Sequence, residues 1–377
     1  MAKKKSKKNQ FSFKGLVYLV LVVLAMLGVF EATPDGNNNP TGSPTVKPTI
    51  KPTKAPTSDT AAASGDFAIH FVDVGQADCA VILCDDEVLM IDGGDRGDSD
   101  LVYSYLTGTL KIDTIDYMIA THAHEDHIGG LPGAFQACRV KKVYSPVTSH
   151  DSGVFETLVK CAKDQGLSLT VPKVGQSFKV GDATVQFLSP AKKYSDTNDT
   201  SIVVKVVYGE TSFMFTGDAE HDPESDMVNS GYDLSATLLK VGHHGSESST
   251  SYAFLREVDP TYAVISVGTG NKYGHPEKVV LDRLEDADVQ IYRTDLLGHI
   301  VVTSDGKKLS ITSGGGGHGA STVNTPKVTY VGNSSSKKFH TSDCKYAKDM
   351  SSKNKVTFTD RKKAVSEGYE PCGNCEP

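Results

Sequence analysis

A short segment of the sequence concentrates side chains that commonly bind metal ions. It carries four potential ligands within six residues: His122, His124, Asp126 and His127. In an extended strand alternate side chains share a face, so His122 and His124 would point to one side. A helical turn beginning near Asp126 would bring that carboxylate and His127 to the same cavity. Imidazole and carboxylate groups suit zinc or another first-row metal, and a polar loop with hydrogen-bonded histidines is the alternative.

Further candidate ligands follow apolar runs that predict strands. They lie beyond the runs 211–216, 238–241 and 263–267 and are, in that order, Asp218, the pair His243 and His244, and His275. Because loops at one edge of a sheet can converge on one cavity, we expect these side chains to join the first four. Asp218 would bridge two metals, and one histidine of the pair, with His243 favoured over His244, would be a late ligand.

The expected site holds two divalent metals, Zn or Mn, and hydrolysis would use a water that they activate. Asp126 and His275 are the candidate catalytic residues. Asp126 would ligate one metal and orient the attacking water, and His275 would ligate or stabilise a leaving oxygen. We expect Asp73 to hydrogen-bond a ligand imidazole, and Asp92 to shape its glycine-rich turn.

Short predicted strands alternate with helices from residue 66 onward. Three strands are predicted first, over Phe67–Val74, Cys79–Leu83 and Val88–Ile91. Apolar residues at helical spacing then indicate a helix that ends near Gly166. Two successive blocks of strands with intervening helices predict an α/β fold of four layers, in which two packed sheets lie between helices.

The histidine-rich segment and three further motifs resemble a known family. His122–His127 is similar to the H-x-H-x-D-H signature of the metallo-β-lactamase superfamily. Three segments are similar to the hydrolase domain of ComEC-type competence proteins: Phe71–Asp78, Leu89–Gly94 and Val241–Ser246. The resemblance covers roughly residues 66 to 313. It implies an αββα sandwich and a metal-dependent hydrolase, which in the nearest relatives is a phosphodiesterase or nuclease that acts on DNA.

One stretch departs from the superfamily pattern. Many members supply a further histidine ahead of the position of Asp218, whereas this sequence has Asn198-Asp199-Thr200-Ser201 there. Asn198 and Asp199 are the candidate replacements, and a loosely held first metal is the alternative.

Charge and composition divide the chain into separate modules. The net charge is +6 for residues 1–65, −17 for residues 66–314 and +4 for residues 315–377. The predicted segments are an N-terminal anchor or signal at 1–32, a Pro/Thr-rich disordered linker at 33–65, the hydrolase domain at 66–314, a flexible linker at 315–326 and a small C-terminal domain at 327–377.

The N-terminal segment predicts export. A lysine cluster precedes the apolar run Leu16–Phe30, which is typical of a membrane anchor or a secretory signal. An uncleaved anchor would contact the membrane and hold the protein at the extracellular face, whereas a cleaved signal would release it.

The C-terminal domain offers a second set of metal ligands. They are one histidine and three cysteines: His340, Cys344, Cys372 and Cys375. One nitrogen and three sulfurs are typical of structural zinc, and a domain this small usually needs such a staple. The segment resembles the metal-binding module of Ada-type DNA repair proteins, with His340 in place of a cysteine. Disulfide pairing is the alternative in an exported chain, although a C-x-x-C loop is short for a structural disulfide.

Three functions compete for this sequence. The first is an exported metal-dependent hydrolase of phosphodiesters, with DNA as a candidate substrate. The acidic body disfavours tight duplex binding, so the tail lysines Lys337, Lys338 and Lys345 are the candidates for capturing nucleic acid. The second is a hydrolase of a lactone, thioester or β-lactam, and the third is a non-catalytic surface binding module. No protein partner is inferred, and the remaining cysteines, Cys79, Cys84, Cys138 and Cys161, are expected to be ordinary buried residues.

Overall fold

The computed structural model describes residues 66–313, 330–342, 344–358, 361–373 and 375. The predicted anchor and both predicted linkers lie outside these ranges. Among the described residues, no helix combines the length and the apolar character needed to cross a bilayer.

The strands of the body alternate with helices along the chain. In chain order the strands are β1 (Phe67–Phe71), β2 (Ala80–Cys84), β3 (Glu87–Ile91), β4 (Thr114–Ile115), β5 (Tyr117–Ile119), β6 (Arg139–Val140), β7 (Val143–Tyr144), β8 (Leu169–Thr170), β9 (Ser177–Val180), β10 (Ala183–Ser189), β11 (Val203–Tyr208), β12 (Thr211–Phe215), β13 (Leu238–Lys240), β14 (Tyr262–Ile265), β15 (Gln290–Arg293), β16 (Ile300–Ser304) and β17 (Leu309–Ser313).

The helices of the body are short. The α-helices are α1 (Ser99–Ser104), α2 (Glu125–Ile128), α3 (Leu131–Ala137), α4 (Gly153–Asp164), α5 (His221–Val228), α6 (Tyr252–Val258), α7 (Lys278–Asp286) and α8 (Thr294–Leu297). A π-helical turn covers Tyr105–Leu110, and 3₁₀ turns cover Arg96–Asp98, Asn198–Thr200 and Gly242–Gly245.

Two large sheets contain most of these strands. The first has the order β17-β16-β1-β2-β3-β5-β7-β8, and the second has the order β15-β14-β13-β12-β11-β10-β9. Strands β3, β5 and β7 run parallel in the first sheet, as do β12, β13 and β14 in the second. Parallel strands open their carboxyl ends at one edge, which is where ligands bind in α/β sheets.

Aromatic side chains fill the space between the sheets. Phe67 of β1 stacks on Tyr208 and on Phe213, with ring centroids 4.7 Å and 4.9 Å apart. Phe71 stacks on Phe215 at 5.8 Å. Two further apolar clusters cover the outer faces, one under α1, α3 and α4 and the other under α5, α6 and α7. The layers are therefore helices, sheet, sheet and helices, which confirms the αββα prediction.

The element boundaries follow local signals in the sequence. Helix α4 begins after Ser152, whose side chain accepts a hydrogen bond from the backbone of Phe155, and it ends before Gly166, as predicted. The predicted strand at Phe67–Val74 ends earlier, at Phe71, because the chain then leaves the sheet toward the rim.

The C-terminal residues form a separate small sheet. Its strands are β18 (Tyr330–Asn333), β19 (Lys338–Thr341), β20 (Lys355–Phe358) and β21 (Glu370–Pro371), in the order β20-β18-β19-β21. Helices α9 (Lys345–Lys348) and α10 (Arg361–Ser366) and a 3₁₀ turn at Ser352–Asn354 connect them. A core this small agrees with the expectation of a metal staple; it consists of Tyr330, Phe339, Phe358, Ala364 and Tyr369.

Candidate metal centre

The candidate ligands lie just beyond the carboxyl ends of parallel strands. The segment from His122 to His127 follows β5 and continues into α2, as the sequence predicted. Asp218 follows β12, the pair His243 and His244 follows β13, and His275 lies in the loop after β14. Parallel pairing aligns these strand ends, so side chains from distant parts of the sequence meet at one rim.

Four ligand atoms form the tightest cluster at the rim. One atom from each side chain lies within 4.8 Å of all the others in the set Asp126, His127, Asp218 and His244. His127 Nε2 is 3.2 Å from Asp218 Oδ1, and His244 Nε2 is 3.4 Å from Asp126 Oδ2. Two imidazoles and two carboxylates at this spacing are a donor set for a divalent first-row metal.

Two more histidines lie near the other oxygen of Asp218, and a third lies beside one of them. The Oδ2 atom is 3.9 Å from His122 Nε2 and 3.7 Å from His243 Nε2. It is also 3.8 Å from Nε2 of His244. His124 Nδ1 lies 3.1 Å from His122 Nε2. Asp218 therefore has imidazoles beside both of its oxygens, a position from which a carboxylate could contribute to two metal sites.

Orphaned polar atoms show that this cluster fits a cation. His127 Nε2, His244 Nε2 and Asp218 Oδ1 are buried and have no hydrogen-bond partner within the described residues. An unsatisfied buried polar atom is costly, and these three point at one another. A divalent ion coordinated by all three atoms would remove that cost.

The pKa values of two histidines at the rim also indicate a site for a cation. Burial lowers the pKa of His127, but the carboxylates of Asp218 and Asp92 outweigh it and hold that pKa well above the ordinary value. Burial likewise opposes protonation of His244, yet Asp218 and Asp126 raise its pKa to about 10. The carboxylates thus demand positive charge, which two protons or a metal ion can supply. Metal binding must displace those protons, so acid will weaken it.

The floor of the centre is closed and its mouth is open. The side chains of His127 and Asp218 are 0% and 2% exposed, whereas Asp126 is 33% and His243 is 23% exposed. Substrate and water therefore reach the centre between Asp126 and His243.

Asp92 holds a ligand histidine, which corrects the role predicted for it. Its Oδ2 atom is 2.8 Å from His127 Nδ1, and it also accepts hydrogen bonds from the backbone and hydroxyl of Thr121. A carboxylate on the far nitrogen of a ligand imidazole fixes the ring and its tautomer. Asp92 does occupy the turn after β3, with φ of +57°, but its side chain serves the metal centre.

Asp73 does not have the role predicted for it. Its carboxylate accepts a bond from the backbone of Gly75, and its backbone N–H donates to His299. In the described structure it makes no hydrogen bond with a candidate ligand. Asp73 lies two residues beyond the end of β1, where its carboxylate closes the local turn at Gly75 instead of reaching a ligand.

Both adjacent histidines reach the same oxygen of Asp218, with Nε2 atoms 3.7 Å and 3.8 Å from Oδ2. His243 has φ of 47° and ψ of 46°, and His244 has φ of 52° and ψ of 20°. Left-handed backbone at two successive non-glycine residues is costly and is typical of functional sites. His244 belongs to the tight cluster with Asp126, while His243 lies nearer the mouth, so the structure brings both to Asp218 instead of one.

Second contacts orient both rings of the pair. His244 Nδ1 is 3.0 Å from the carbonyl oxygen of Ser266. His243 Nδ1 is 3.1 Å from Glu220 Oε1, and Glu220 also accepts a hydrogen bond from Asn198. Sequence reasoning missed Glu220, which follows Asp218 by two residues.

The segment that lacks the superfamily histidine supports the centre without joining the tight cluster. The hydroxyl of Ser201 accepts a bond from the backbone of Asp218 and lies 3.4 Å from His122 Nδ1. Asp199 accepts a bond from the backbone of Glu220. His243, on the same side of Asp218 as His122, is better placed than Asn198 or Asp199 to complete a first metal site.

A buried ion pair underlies the centre. Lys240 Nζ, at the end of β13, lies 2.7 Å from Asp78 Oδ2, and both side chains are less than a tenth exposed. Asp78 lies between β1 and β2, and its other oxygen is 3.4 Å from His244 Nδ1. The pair joins the two sheets directly below a ligand. A lysine in an apolar run gave no local signal of this role.

His275 lies beside the centre and outside the tight cluster. Its ring centroid is 5.6 Å from that of His243, and its Nδ1 atom is 3.4 Å from Gln76 Nε2. Burial, then the neighbouring histidines, lower its pKa, so the ring is neutral at pH 7. This placement suits the predicted contact with a leaving oxygen better than a ligand role.

Close backbone packing brings the two ligand loops together. A Cβ atom at Gly129 would lie 2.3 Å from the backbone nitrogen of Arg96, and one at Gly130 would lie 2.0 Å from the carbonyl oxygen of Gly93. Only glycine permits this approach, which places Asp92 within reach of His127.

The C-terminal ligands also converge. One atom from each of the four lies within 4.8 Å of the others in the set His340, Cys344, Cys372 and Cys375. His340 Nδ1 is 3.5 Å from Cys344 Sγ and 4.0 Å from Cys375 Sγ. Within the described residues no disulfide joins these cysteines. The donor set fits the predicted structural zinc.

The other four cysteines are poor candidates for a catalytic nucleophile. Cys79, Cys84 and Cys138 are buried and Cys161 is partly buried, in agreement with the prediction. Burial raises the pKa of the Cys84 and Cys138 thiols to about 11. A thiol with such a pKa is inert at neutral pH.

Comparison with known proteins agrees with the fold and the rim. Residues 72–269, just over half of the chain, match the model of the metallo-beta-lactamase superfamily. An αββα body with histidines and carboxylates gathered at one rim defines a metal-dependent hydrolase. The chain belongs to the metallo-β-lactamase superfamily.

The curated relatives that the chain matches include longer proteins. The chain is 33% identical over 190 residues to ComE operon protein 3 of Bacillus subtilis, a match that covers 50% of this chain and 24% of that protein. It is 29% identical over 241 residues to Competence protein ComA of Neisseria gonorrhoeae, covering 63% and 32%. It is 27% identical over 247 residues to Recombination protein 2 of Haemophilus influenzae, covering 64% and 29%. The chain thus spans a quarter to a third of these relatives.

The contrast between Asp92 and Asp73 gives a matched pair of variants. We expect Asp92→Asn to weaken metal binding by about 10- to 100-fold, because His127 loses the carboxylate that orients it. Asp73→Asn should leave the affinity unchanged, since Asp73 contacts no ligand. Competition with a chromophoric chelator measures both affinities. Equal affinities for the two variants would contradict the assignment of Asp92.

Metal content tests the C-terminal site separately. Cys344→Ser should lower the zinc bound per chain by one equivalent, because a tetrahedral site that loses a thiolate holds zinc poorly. Cys161→Ser, which removes a thiol from α4, is the matched control and should keep the full content. Elemental analysis after dialysis gives the count. An unchanged count in Cys344→Ser, with fewer than the expected reactive thiols in the wild type, would favour a disulfide.

Proposed function

We propose that this hydrolase cleaves phosphodiester bonds of nucleic acid, with DNA as the first candidate, on the outer side of the cell membrane. The observation that carries the proposal is Asp218, a buried carboxylate with imidazoles beside both of its oxygens at an open rim. Two divalent ions held there, zinc or manganese, would lower the pKa of a water and clamp the attacking and leaving oxygens of an in-line displacement at phosphorus.

In this proposal Asp126 orients the attacking water. Burial raises its pKa, but the His244 imidazole, 3.4 Å away, outweighs burial and lowers that pKa to about 2, so the carboxylate is ionised at neutral pH. It is the most exposed member of the tight cluster, at the mouth through which water enters. One oxygen can accept a hydrogen bond from water while the other faces His244.

His275 is placed to donate a hydrogen bond to the leaving oxygen. Gln76 Oε1 accepts from the backbone of Gly268, which orients the amide so that Nε2 faces His275 Nδ1. An amide nitrogen only donates, so Nδ1 accepts and the ring proton lies on Nε2. A neutral histidine with its proton on Nε2 can stabilise developing charge on an oxygen.

The names of the relatives support a substrate related to DNA. One is named for competence, one for recombination and one for the ComE operon. Because the chain covers at most 32% of any of these three, their complete activities are not transferred to it. What supports the proposal is the combination of these names with a rim suited to phosphodiester chemistry.

The location is part of the proposal and has its own test. Export rests on the lysine cluster and the apolar run Leu16–Phe30. Protease added to intact cells that express the full chain should degrade the hydrolase body, because an anchored body would face outward. Protection until the cells are lysed would contradict an extracellular location.

Asp126→Ala tests the activity. The variant should lose roughly 10²- to 10⁴-fold in kcat, the range for removing a group that handles the proton of water. Asp100→Ala, a change at an exposed carboxylate of α1, is the matched control and should keep full turnover. Initial rates are measured on metal-loaded full chain with bis-p-nitrophenyl phosphate, single-stranded DNA, plasmid DNA and nitrocefin.

Two outcomes of this panel would reject the proposal. Near wild-type turnover by Asp126→Ala, with the variant shown to fold by circular dichroism, would remove Asp126 from the mechanism. Hydrolysis of nitrocefin alone would replace the phosphodiesterase with a small-molecule hydrolase.

A further inference from the structure

The loop 268–276 follows β14 and borders the metal centre. The side chain of Asn271 closes it, since Nδ2 donates to the carbonyl oxygens of Gly268 at 3.0 Å and His275 at 2.6 Å. Asn271 Oδ1 accepts from the backbone N–H groups of Tyr273 and His275, each at 3.1 Å. Four hydrogen bonds to one asparagine define the path of the loop, so the side chains at its tip have a defined position relative to the centre.

His275 connects this loop to the metal centre. Its ring is tilted edge-on to that of His243, with the centroids 5.6 Å apart, and His243 Nε2 in turn lies 3.7 Å from Asp218. The side chain of His275 is only 9% exposed. The tip of the loop is therefore one ring removed from a candidate ligand.

Tyr273 projects from the tip and exposes an aromatic ring. It is 58% exposed, the largest value among the exposed large apolar and aromatic side chains of the described structure. Its ring stacks on His275 with centroids 5.7 Å apart and planes inclined by 23°. Leaving an aromatic ring exposed to water contributes little to the stability of the fold. A ring held in this position offers a stacking surface for a ligand.

Lys272 provides positive charge at the same place. Its ammonium lies 5.0 Å from the centroid of the Tyr273 ring. In the part of the chain that the structure describes, it has no carboxylate partner, whereas Arg96 pairs with Glu125 and Lys278 pairs with Asp282. In a body with a net charge of −17, an unpaired lysine beside the centre is available to an anion.

The strengths of the two possible contacts with the Tyr273 ring differ. A cation–π contact between a lysine and an exposed aromatic ring favours the contact state by a factor of only about 2 to 5. A nucleobase stacked on an aromatic side chain contributes a factor of about 5 to 150 in affinity. A base can therefore displace the ammonium of Lys272 from the ring. The displaced ammonium keeps its charge within reach of the phosphates next to that base.

We propose that the loop 268–276 is a nucleotide-binding element of the reaction centre. Tyr273 stacks a nucleobase next to the scissile phosphodiester, and Lys272 pairs with a neighbouring phosphate. A base can stack on a side chain only when it has left its own duplex, so the substrate is single-stranded nucleic acid or an unpaired end. This inference rests on the proposed phosphodiesterase function and specifies its substrate class.

Base removal in the substrate tests the stacking contact. Metal-loaded full chain is assayed with a single-stranded oligonucleotide and with the same strand carrying tetrahydrofuran abasic analogues throughout. The wild type should prefer the intact strand by about 5- to 150-fold in kcat/KM. Tyr273→Ala should lose that preference and Tyr273→Phe should keep it. Tyr103→Ala, a change at an exposed tyrosine of α1, is the matched control.

Salt dependence tests the charge contact. For single strands, each phosphate contact contributes about 0.7 to the slope of log affinity against log salt. Lys272→Gln should reduce the slope by about this amount and leave the preference for intact bases in place. An unchanged slope would remove Lys272 from the proposal.

Direct binding separates this inference from the proposed function. In the Asp126→Ala background, fluorescence anisotropy measures the affinity of the full chain for the intact and abasic strands without turnover. Tyr273→Ala in that background should abolish the difference between them. If the difference persists, or if neither chain distinguishes the strands, the role of Tyr273 is refuted. If the wild type hydrolyses no nucleic acid but binds intact strands through Tyr273, the proposed reaction fails while the binding element stands.

Discussion

Buried negative charge at the rim is the constraint on which the rest of the structure depends. The side chain of Asp218 is 2% exposed, and an uncompensated carboxylate in such a place costs several kcal/mol. The fold compensates it with imidazoles from two different loops, and carboxylates or carbonyl oxygens orient several of those imidazoles in turn. Because so many acceptors face one point, the arrangement is stable only with added positive charge. This is the physical reason that a divalent cation belongs there.

At the rim, the two-sheet architecture aligns the ends of the strands that precede the ligand loops. Each ligand loop begins where a parallel strand stops, so a shift of register in either sheet would displace a ligand by a whole residue. The glycines after the histidine segment let its backbone contact that of the β3 turn. Fold and chemistry are thus specified by the same short segments.

Local sequence was enough to predict the layers and the ligand types. Four candidate ligands lie within six residues, so their spacing alone indicates a common site: His122, His124, Asp126 and His127. Residues that are far apart in the sequence but in contact in the structure gave no such signal. Asp92 and His127 are 35 residues apart, and only the packing of two turns decides that Asp92, and not Asp73, reaches the imidazole.

Choices between neighbours were also beyond the sequence. His243 and His244 are adjacent, so spacing could not show which one reaches Asp218. The structure gives both a left-handed backbone and brings both rings to the same oxygen of Asp218, with Nε2 atoms 3.7 Å and 3.8 Å from Oδ2. The same limit applies to Tyr273, whose importance depends on an exposed ring resting on His275, a contact set by the fold of the loop.

The ion pair of Lys240 and Asp78 has a mechanical consequence. It links the second sheet to the first directly beneath His244, in a medium where neither charge can be left alone. If one sheet slid over the other, both buried charges would lose their partner, and the position of His244 would be disturbed. The ion pair therefore resists relative sliding of the two sheets at the end of their interface that carries the ligands.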